Sequence, residues 1–170
     1  MLKIFNNLEM FFEDNYLRVN VREYARLMNI SPPSASTLLA SLENEGLLKS
    51  EKEHRYIFYS ANRENMLFVE LCKAYWRMRF KKIGLLDYLQ EELVNPLVVL
   101  FGSFSKAEIK QDSDIDMAVF SVTKKELDLR SFEKKLKRNM QLFAFKDEKD
   151  VLNKELLKNI RNGFVLLGRW

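Results

Sequence analysis

The chain has 170 residues, of which 47% are hydrophobic and 31% are charged, and its formal net charge at pH 7 is +4. That length and composition are enough to bury the core of one or two small domains, and no run of residues approaches the roughly 18 consecutive apolar positions of a membrane-spanning helix. The single cysteine, Cys72, excludes an internal disulfide and is typical of a protein in a reducing cytoplasm.

The first sixty residues predict three helices followed by a hairpin. The predicted elements are an amphipathic helix at the start of the chain, helices at 21–28 and 32–44, and strands at 49–53 and 55–61. Asn20 is placed to cap the second helix. Ser31 is placed to cap the third helix, with Pro32 at its first position, and Gly46 is its natural stop.

This order of elements, with the phrase SPPSASTLLASLENEGLLKSEKEHRYIFYSA, resembles the winged helix-turn-helix family across residues 1–62. In that family the start of the third helix enters the DNA major groove. The residues that the resemblance implies for DNA contact are Ser34, Ser36 and Thr37 on the helix and Lys52 and Arg55 on the hairpin. No Lys or Arg lies between Ser31 and Leu48, so the helix gains little from counterion release. Protein docking or dimerisation is the alternative role.

A helical stretch from Asn65 to about Glu92 follows, and Gly84 should break it. Apolar side chains cover too much of its circumference for one narrow stripe, so most of its surface should be buried. The surface that covers it is either the N-terminal domain or a second copy of the chain in a homodimer.

The segment Leu97–Phe101 is a short apolar run typical of a strand buried on both faces, and it leads directly into Gly102 and Ser103. A glycine at this point lets the backbone approach a ligand closely, and the turn after it presents N–H groups and a hydroxyl to phosphate oxygens. Lys106 is placed to neutralise charge on the same phosphate. These residues predict a phosphate-binding turn.

A second strand is predicted at 113–120, with the sequence SDIDMAVF. Residues two apart in a strand point the same way, so Asp114 and Asp116 should project together while Ile115 and Met117 enter the core. Two carboxylates held together repel unless a cation lies between them, and hard oxygen ligands suit Mg²⁺ (or Mn²⁺) completed by triphosphate oxygens. The alternative is a strand edge that carries two solvated aspartates.

The segment LFGSFSKAEIKQDSDIDM, residues 100–117, resembles the signature of the nucleotidyltransferase superfamily: an apolar strand, Gly-Ser, a short spacer and Asp-x-Asp on the next strand. The resemblance covers roughly residues 85–146 and is closest to the minimal prokaryotic members. It implies a small mixed sheet flanked by helices and transfer of a nucleoside monophosphate with release of pyrophosphate. The implied roles are nucleotide binding by Gly102, Ser103, Lys106 and Ser113, and metal binding and catalysis by Asp114 and Asp116. Ala107 departs from the pattern, because the family has a glycine there.

Active members of the superfamily place a third carboxylate on the strand after the next helix, often as the base for the acceptor hydroxyl. The remaining predicted elements here are a helix from Leu127 or Ser131 to Asn139, a strand at 140–145 and an amphipathic helix at 153–167. Gln141 or Phe143 takes the place of the third acid, and a glutamine cannot accept a proton from an attacking hydroxyl. Either one of the loop acids Asp147, Glu148 and Asp150 supplies the third carboxylate, or the domain binds nucleotide and transfers the nucleoside monophosphate poorly.

The predicted fold class is α+β, with a winged helix domain at 1–64, a connecting helix at 65–84 and a small mixed-sheet nucleotidyltransferase-like domain flanked by helices at 85–170. The predicted function is a cytoplasmic enzyme that transfers a nucleoside monophosphate from a nucleoside triphosphate to a macromolecule, with a protein as the expected acceptor. The resemblance further implies an antitoxin-type component, since small members often modify a helical toxin partner. The alternative is a DNA-binding transcriptional regulator whose degenerate transferase domain binds nucleotide or dimerises.

Overall fold

In the computed structural model of the chain, residues 3–123 and 125–170 are described, and the chain forms two compact units. Unit 1 comprises the residues up to Cys72 together with Ala107–Gln111. Unit 2 comprises Lys73–Lys106 and Asp112–Trp170. In the described part of the chain, no helix is both long enough and apolar enough to cross a membrane.

Unit 1 combines helices with a three-stranded antiparallel sheet. Its elements are α1 (Lys3–Glu13), β1 (Arg18–Asn20), α2 (Val21–Met28), α3 (Pro32–Asn44), β2 (Leu48–Glu53), β3 (Tyr56–Ala61) and the first residues of α4 (Met66–Lys82). The strand order is β1-β3-β2. The three predicted helices and the hairpin are confirmed. The strand β1 is not predicted, because three residues are too few to show an alternating pattern. The assignment of these residues to the winged helix family stays a prediction.

Local capping explains why α2 and α3 begin where the sequence predicts. The Asn20 side chain accepts the backbone N–H of Glu23 at 3.1 Å, and the Glu23 carboxylate accepts the backbone N–H of Asn20 at 2.9 Å. This reciprocal pair is a capping box. At α3, the Ser31 hydroxyl accepts the N–H of Ser34 at 3.3 Å, and Pro32 opens the helix where a missing N–H costs nothing.

A buried asparagine fixes the segment 107–111 within unit 1. Asn15 is 1% exposed. Its side-chain amide donates to the carbonyl of Phe11 at 2.7 Å, and its side-chain oxygen accepts the N–H of Ile109 at 2.8 Å. The backbone N–H of Asn15 also donates to the carbonyl of Ile109 at 2.8 Å. Because an unpaired buried polar group costs about 1–3 kcal/mol, these bonds define one position for the segment.

Unit 2 is built on a four-stranded mixed sheet. Its elements are the remainder of α4, then α5 (Leu85–Glu92), β4 (Leu97–Phe101), α6 (Ser103–Lys106), β5 (Ile115–Phe120), α7 (Arg130–Leu136), β6 (Met140–Phe145), a 3-10 turn (Glu148–Asp150), α8 (Lys154–Arg161) and β7 (Phe164–Leu167). The strand order is β6-β5-β4-β7. The pair β5 and β6 is parallel, and the pairs β4–β5 and β4–β7 are antiparallel. The predicted mixed sheet with flanking helices is therefore present.

The predicted burial of β4 on both faces is confirmed. Val98, Val99 and Leu100 are fully buried although successive side chains point to opposite faces of the sheet. On one face, Val99 packs in a cluster with Ala118 of β5 and Ile160 of α8. The helix α8 therefore covers the face of the sheet that also carries Asp116, since Asp116 and Ala118 are two residues apart on one strand.

Two helices are shorter in the structure than the sequence predicts. The helix α7 covers Arg130–Leu136, which is shorter than the predicted span to Asn139. The amphipathic helix predicted at 153–167 is wrong in its second half, where α8 ends at Arg161 and β7 pairs with β4. Gly163 lies between α8 and β7. A Cβ atom there would lie 2.6 Å from Val99 Cγ1 and 2.7 Å from the Leu100 carbonyl oxygen, which leaves no room for a side chain. The chain thus reverses against β4 at a point where only glycine fits.

Candidate functional site

Gly102 ends β4 and lies directly beside Asp116. The strand register pairs Phe101, the residue before it, with Asp116 of β5. The φ angle of Gly102 is +68°, in the left-handed region that favours glycine. A methyl group on Gly102 would overlap Asp116 Oδ2 and would lie 3.4 Å from the carboxyl carbon of Asp116. Glycine is therefore required for the turn to approach this carboxylate so closely.

The residues after Gly102 form the short helix α6. Ser103 at its start is half-buried, and Lys106 at its end is exposed, so both can meet a ligand from solvent. The Ser105 hydroxyl donates to the Gly102 carbonyl at 2.9 Å and holds the turn in shape. Ala107 follows, fully buried, with a φ angle of +53°. At this position, where the sequence departs from the superfamily pattern, the backbone is left-handed, which costs about 1–2 kcal/mol for a residue with a Cβ atom.

Asp114 and Asp116 flank the start of β5. Asp116 is the second residue of that strand, and Asp114 lies just before the strand rather than within it. Burial raises the pKa of the Asp116 carboxyl above its ordinary value, and the negative charge of Asp114 raises it further. The two carboxylates thus lie close enough to repel each other, and a cation bound to both would relieve that repulsion.

Two amide side chains hold Asp114 in place. Asn139 Nδ2 donates to Asp114 Oδ1 at 3.1 Å, and Gln141 Nε2 donates to Asp114 Oδ2 at 2.9 Å. In the parallel register of β5 and β6, Gln141 also lies directly opposite Asp116. Gln141 therefore occupies the position beside both carboxylates, and Phe143, the other candidate for the third acid, lies opposite Ala118.

The loop acids do not replace the absent third carboxylate. Asp147, Glu148 and Asp150 follow the far end of β6, six or more residues after Gln141, which corresponds to roughly 20 Å along an extended strand. Each is also engaged locally. Asp147 caps the turn that follows it, Asp150 accepts the N–H of Lys146 at 3.0 Å, and Glu148 pairs with Arg161 at 2.6 Å.

The donor set fits one divalent cation that shares its coordination with a substrate. Asp114 and Asp116 offer carboxylate oxygens, and Mg²⁺ is commonly held by one or two carboxylates together with substrate phosphates and water. Within residues 3–123 and 125–170, no group of three or more His, Cys, Asp or Glu side chains is arranged to hold a metal ion. Any ion at this pair would therefore need phosphate oxygens or water to complete its shell.

Sequence reasoning missed Arg138, which lies beside the site. Its guanidinium Nη1 donates to the carbonyl of Ser113, the residue before Asp114, at 2.9 Å. Ser113 is predicted to bind nucleotide, and its backbone carbonyl is thus already engaged within the protein. No sequence motif signals Arg138, because it lies in the lysine-rich run after α7 and only the fold buries it.

The five residues predicted to contact DNA all lie on the surface of unit 1: Ser34, Ser36 and Thr37 on α3, Lys52 on β2 and Arg55 in the hairpin turn. Two of the hydroxyls make local bonds. The hydroxyl of Ser34 lies 2.8 Å from that of Ser31, and Thr37 Oγ1 donates to the Pro33 carbonyl at 3.2 Å. Their exposure is compatible with a docking surface for either class of partner.

Residues 85–167, a little under half of the chain, match the family model described as Polymerase beta, Nucleotidyltransferase. With the mixed sheet, the Gly-Ser turn and the aspartate pair, the match supports placing this region in the nucleotidyltransferase superfamily. It indicates nucleotidyl transfer as the activity of the family and a nucleoside triphosphate as the substrate class. No curated protein is similar enough to this chain to count as a relative.

Proposed function

We propose that unit 2 binds a nucleoside triphosphate together with one divalent cation and transfers its nucleoside monophosphate to a macromolecular acceptor. The observation that carries this proposal is the approach of Gly102 to Asp116. A backbone turn and a carboxylate brought this close would place phosphate donors and a metal ligand against the same polyphosphate.

Each side chain would act on a different part of the nucleotide. The turn after Gly102 and the Ser103 hydroxyl would donate to phosphate oxygens, and the exposed ammonium group of Lys106 would offset phosphate charge. Asp114 and Asp116 would hold the cation. When bound, Mg²⁺ or Mn²⁺ would neutralise charge that develops on the transferred phosphoryl group.

The proposed acceptor is a protein, and an antitoxin-type role towards a helical partner fits the size of the transferase region. Unit 1 would then serve to dock that partner, through the surface that the sequence assigns to a winged helix. The charges of its hairpin support this use over DNA binding. Arg18 pairs with Glu51 at 3.2 Å and with Glu53 at 3.0 Å, so acidic groups stand among the cations that would otherwise meet phosphate.

A second candidate function is supported by Gln141. A transferase needs a group that accepts the proton of the attacking hydroxyl, and an amide cannot do so at neutral pH. Since Gln141 donates to Asp114 and lies opposite Asp116, the domain would bind nucleotide and transfer it slowly. On this second reading the chain is a regulator in which bound nucleotide alters the activity of a DNA-binding unit 1.

The deciding experiment incubates the full chain with ATP, CTP, GTP or UTP labelled at the α-phosphate, with Mg²⁺ and a candidate helical partner. Label should pass to the partner with the wild-type chain and not with Asp114→Ala or Asp116→Ala. Asp112→Ala is the matched control, since Asp112 is an exposed acid of the same loop and should leave transfer unchanged. Nucleotide binding without label transfer, together with salt-dependent DNA binding, would favour the regulator.

A gain-of-function variant separates the two candidates further. Gln141→Glu places a carboxylate beside Asp114 and Asp116, and a positioned general base contributes about 10²–10⁴-fold to a rate. We expect transfer to rise by at least about tenfold on that basis, whereas Gln90→Glu, at an exposed site on α5, should have no effect. An unchanged rate in Gln141→Glu would mean that the missing base does not limit transfer.

A further inference from the structure

A charged side chain is buried in unit 2 next to both halves of the proposed site. Arg138 is only 8% exposed. It follows Lys137, which ends α7 with a left-handed φ angle of +54° and turns the chain inward. Because a guanidinium is costly to remove from water, its burial requires compensation from the groups around it.

Two aromatic rings supply part of that compensation. The guanidinium carbon of Arg138 lies 5.6 Å from the ring centroid of Trp76 and 5.5 Å from that of Phe104. The two rings pack edge-to-face, with centroids 4.8 Å apart and an interplanar angle of 72°, and both residues are fully buried. A cation near two desolvated rings is stabilised by their quadrupoles, so the three side chains form one packed cluster.

This cluster touches the phosphate turn and the aspartate segment together. Phe104 belongs to α6 and directly follows Ser103. On the other side, Arg138 Nη1 donates at 2.9 Å to the carbonyl of Ser113, which is half of the peptide bond that leads into Asp114. Arg138 thus spans the two parts of the motif, although eight residues separate Phe104 from Ser113 in sequence.

Asn139, the residue after Arg138, also binds the segment around Asp114. The backbone carbonyl of Asn139 accepts the N–H of Ile115 at 2.9 Å, and the side-chain amide of Asn139 donates to Asp114 at 3.1 Å. Arg138 and Asn139 therefore hold the residues on both sides of Asp114, with Arg138 as the member that also reaches α6.

We propose that Arg138 is a positioning residue of the nucleotide site, because its guanidinium fixes the Ser113–Asp114 peptide against the helix that carries Ser103. This inference rests on the proposed binding of nucleotide by unit 2. Arg138 sets the separation between a metal-binding carboxylate and the phosphate turn and does not itself touch the nucleotide.

The test measures the affinity of the full chain for each of the four nucleoside triphosphates with Mg²⁺. Trp76 is one of two tryptophans, so its fluorescence in a Trp170→Phe background reports on the cluster itself, and calorimetry gives an independent dissociation constant. Arg138→Met keeps the length of the side chain without its charge. We expect it to remain folded and to bind Mg²⁺–nucleotide about 10- to 100-fold more weakly, the range typical of losing a residue that orients a metal ligand. Arg138→Lys, whose ammonium can still meet the rings and one carbonyl, should recover part of the affinity.

Two controls separate positioning from stability. Arg130→Met makes the same substitution at an exposed arginine of α7 and should leave the affinity unchanged. Leu136→Ala truncates a buried residue of the same helix and should lower the melting temperature while affinity is kept. If Leu136→Ala weakens binding as much as Arg138→Met, the loss is due to destabilisation and the positioning role is wrong.

The remaining outcomes are equally decisive. A folded Arg138→Met that binds with wild-type affinity overturns the inference alone, while a wild-type chain that binds none of the four nucleotides overturns the proposed function and this inference with it. Should Arg138→Met fail to fold, Arg138→Gln replaces it, because its neutral amide keeps a polar group but ends two bonds short of the atom that donates to the Ser113 carbonyl. Weaker binding then supports the inference, and wild-type binding overturns it. Failure of both to fold, with wild-type affinity in Arg138→Lys, would show that Arg138 is purely structural.

Discussion

Replacing Gly102 by alanine tests the geometry on which the proposed nucleotide site depends. The added methyl group would overlap Asp116 Oδ2, and the backbone would keep a φ angle of +68° that alanine rarely adopts. The left-handed backbone alone costs about 1–2 kcal/mol. The overlap is relieved either by shifting β5, which costs about 1–3 kcal/mol more, or by turning the short Asp116 side chain away from the turn.

The second route adds nothing to the backbone strain but removes a carboxylate from the site. We therefore expect Gly102→Ala to lower the free energy of unfolding by about 1–2 kcal/mol and the affinity for Mg²⁺–nucleotide by at least about tenfold. Denaturant unfolding and calorimetric titration of the full chain measure the two effects separately.

Gly84→Ala is a matched control, because Gly84 has a φ angle of +85° but no heavy atom lies within 4 Å of a Cβ atom built there. Gly84→Ala should lower the free energy of unfolding by about 1–2 kcal/mol and leave the nucleotide affinity unchanged. The difference between the two variants isolates the contact with Asp116. Wild-type affinity in Gly102→Ala would refute the argument, since the turn and the carboxylate would then not need to lie so close.

Two further variants probe charge and burial. Asp116→Asn should abolish nucleotide binding yet stabilise the chain at neutral pH by about 1 kcal/mol at most, since water screens the exposed part of the carboxylate. The raised pKa of Asp116 means that its charged form opposes folding, so this gain should disappear as acid protonates the wild-type carboxyl, and thermal melts across pH would detect that. Asn15→Ala should lower the free energy of unfolding by about 2–4 kcal/mol, because it leaves the buried backbone groups of Phe11 and Ile109 unpaired. The exposed Asn6→Ala should change it by no more than about 0.5 kcal/mol. Equal melting temperatures for the two variants would contradict this expectation.

Much of the fold follows from local signals in the sequence. The helix α2 and the strands β4 and β6 have the predicted limits, because a capping box starts α2 and the strands are short apolar runs between breaks. The spacing of Asp114 and Asp116 likewise predicts a carboxylate pair. The pKa of Asp116 is raised first by burial and then by the charge of Asp114, and the second cause reflects their proximity.

What the sequence could not predict depends on contacts far along the chain. Residues 153–167 keep helical periodicity throughout, so only the tight packing of Gly163 against β4 reveals that the chain turns back as β7. Arg138 looks like one more surface cation in a lysine-rich segment, and its burial depends on Trp76 and Phe104. In both cases tertiary packing overrides a local pattern.

The chemistry of Asp114 connects these observations to the two candidate functions. Each of its oxygens accepts one amide hydrogen, from Asn139 and from Gln141. A carboxylate oxygen has two lone pairs, so each can still face a cation, and the amides orient the ligand without blocking it. For the proposed function, cation and nucleotide binding would therefore need no protein ligand beyond those already at the site. Transfer would in addition need a proton acceptor, and the residue opposite Asp116 supplies only an amide. Under this proposal binding and transfer depend on different residues, and Gln141 is the residue through which they would be separated.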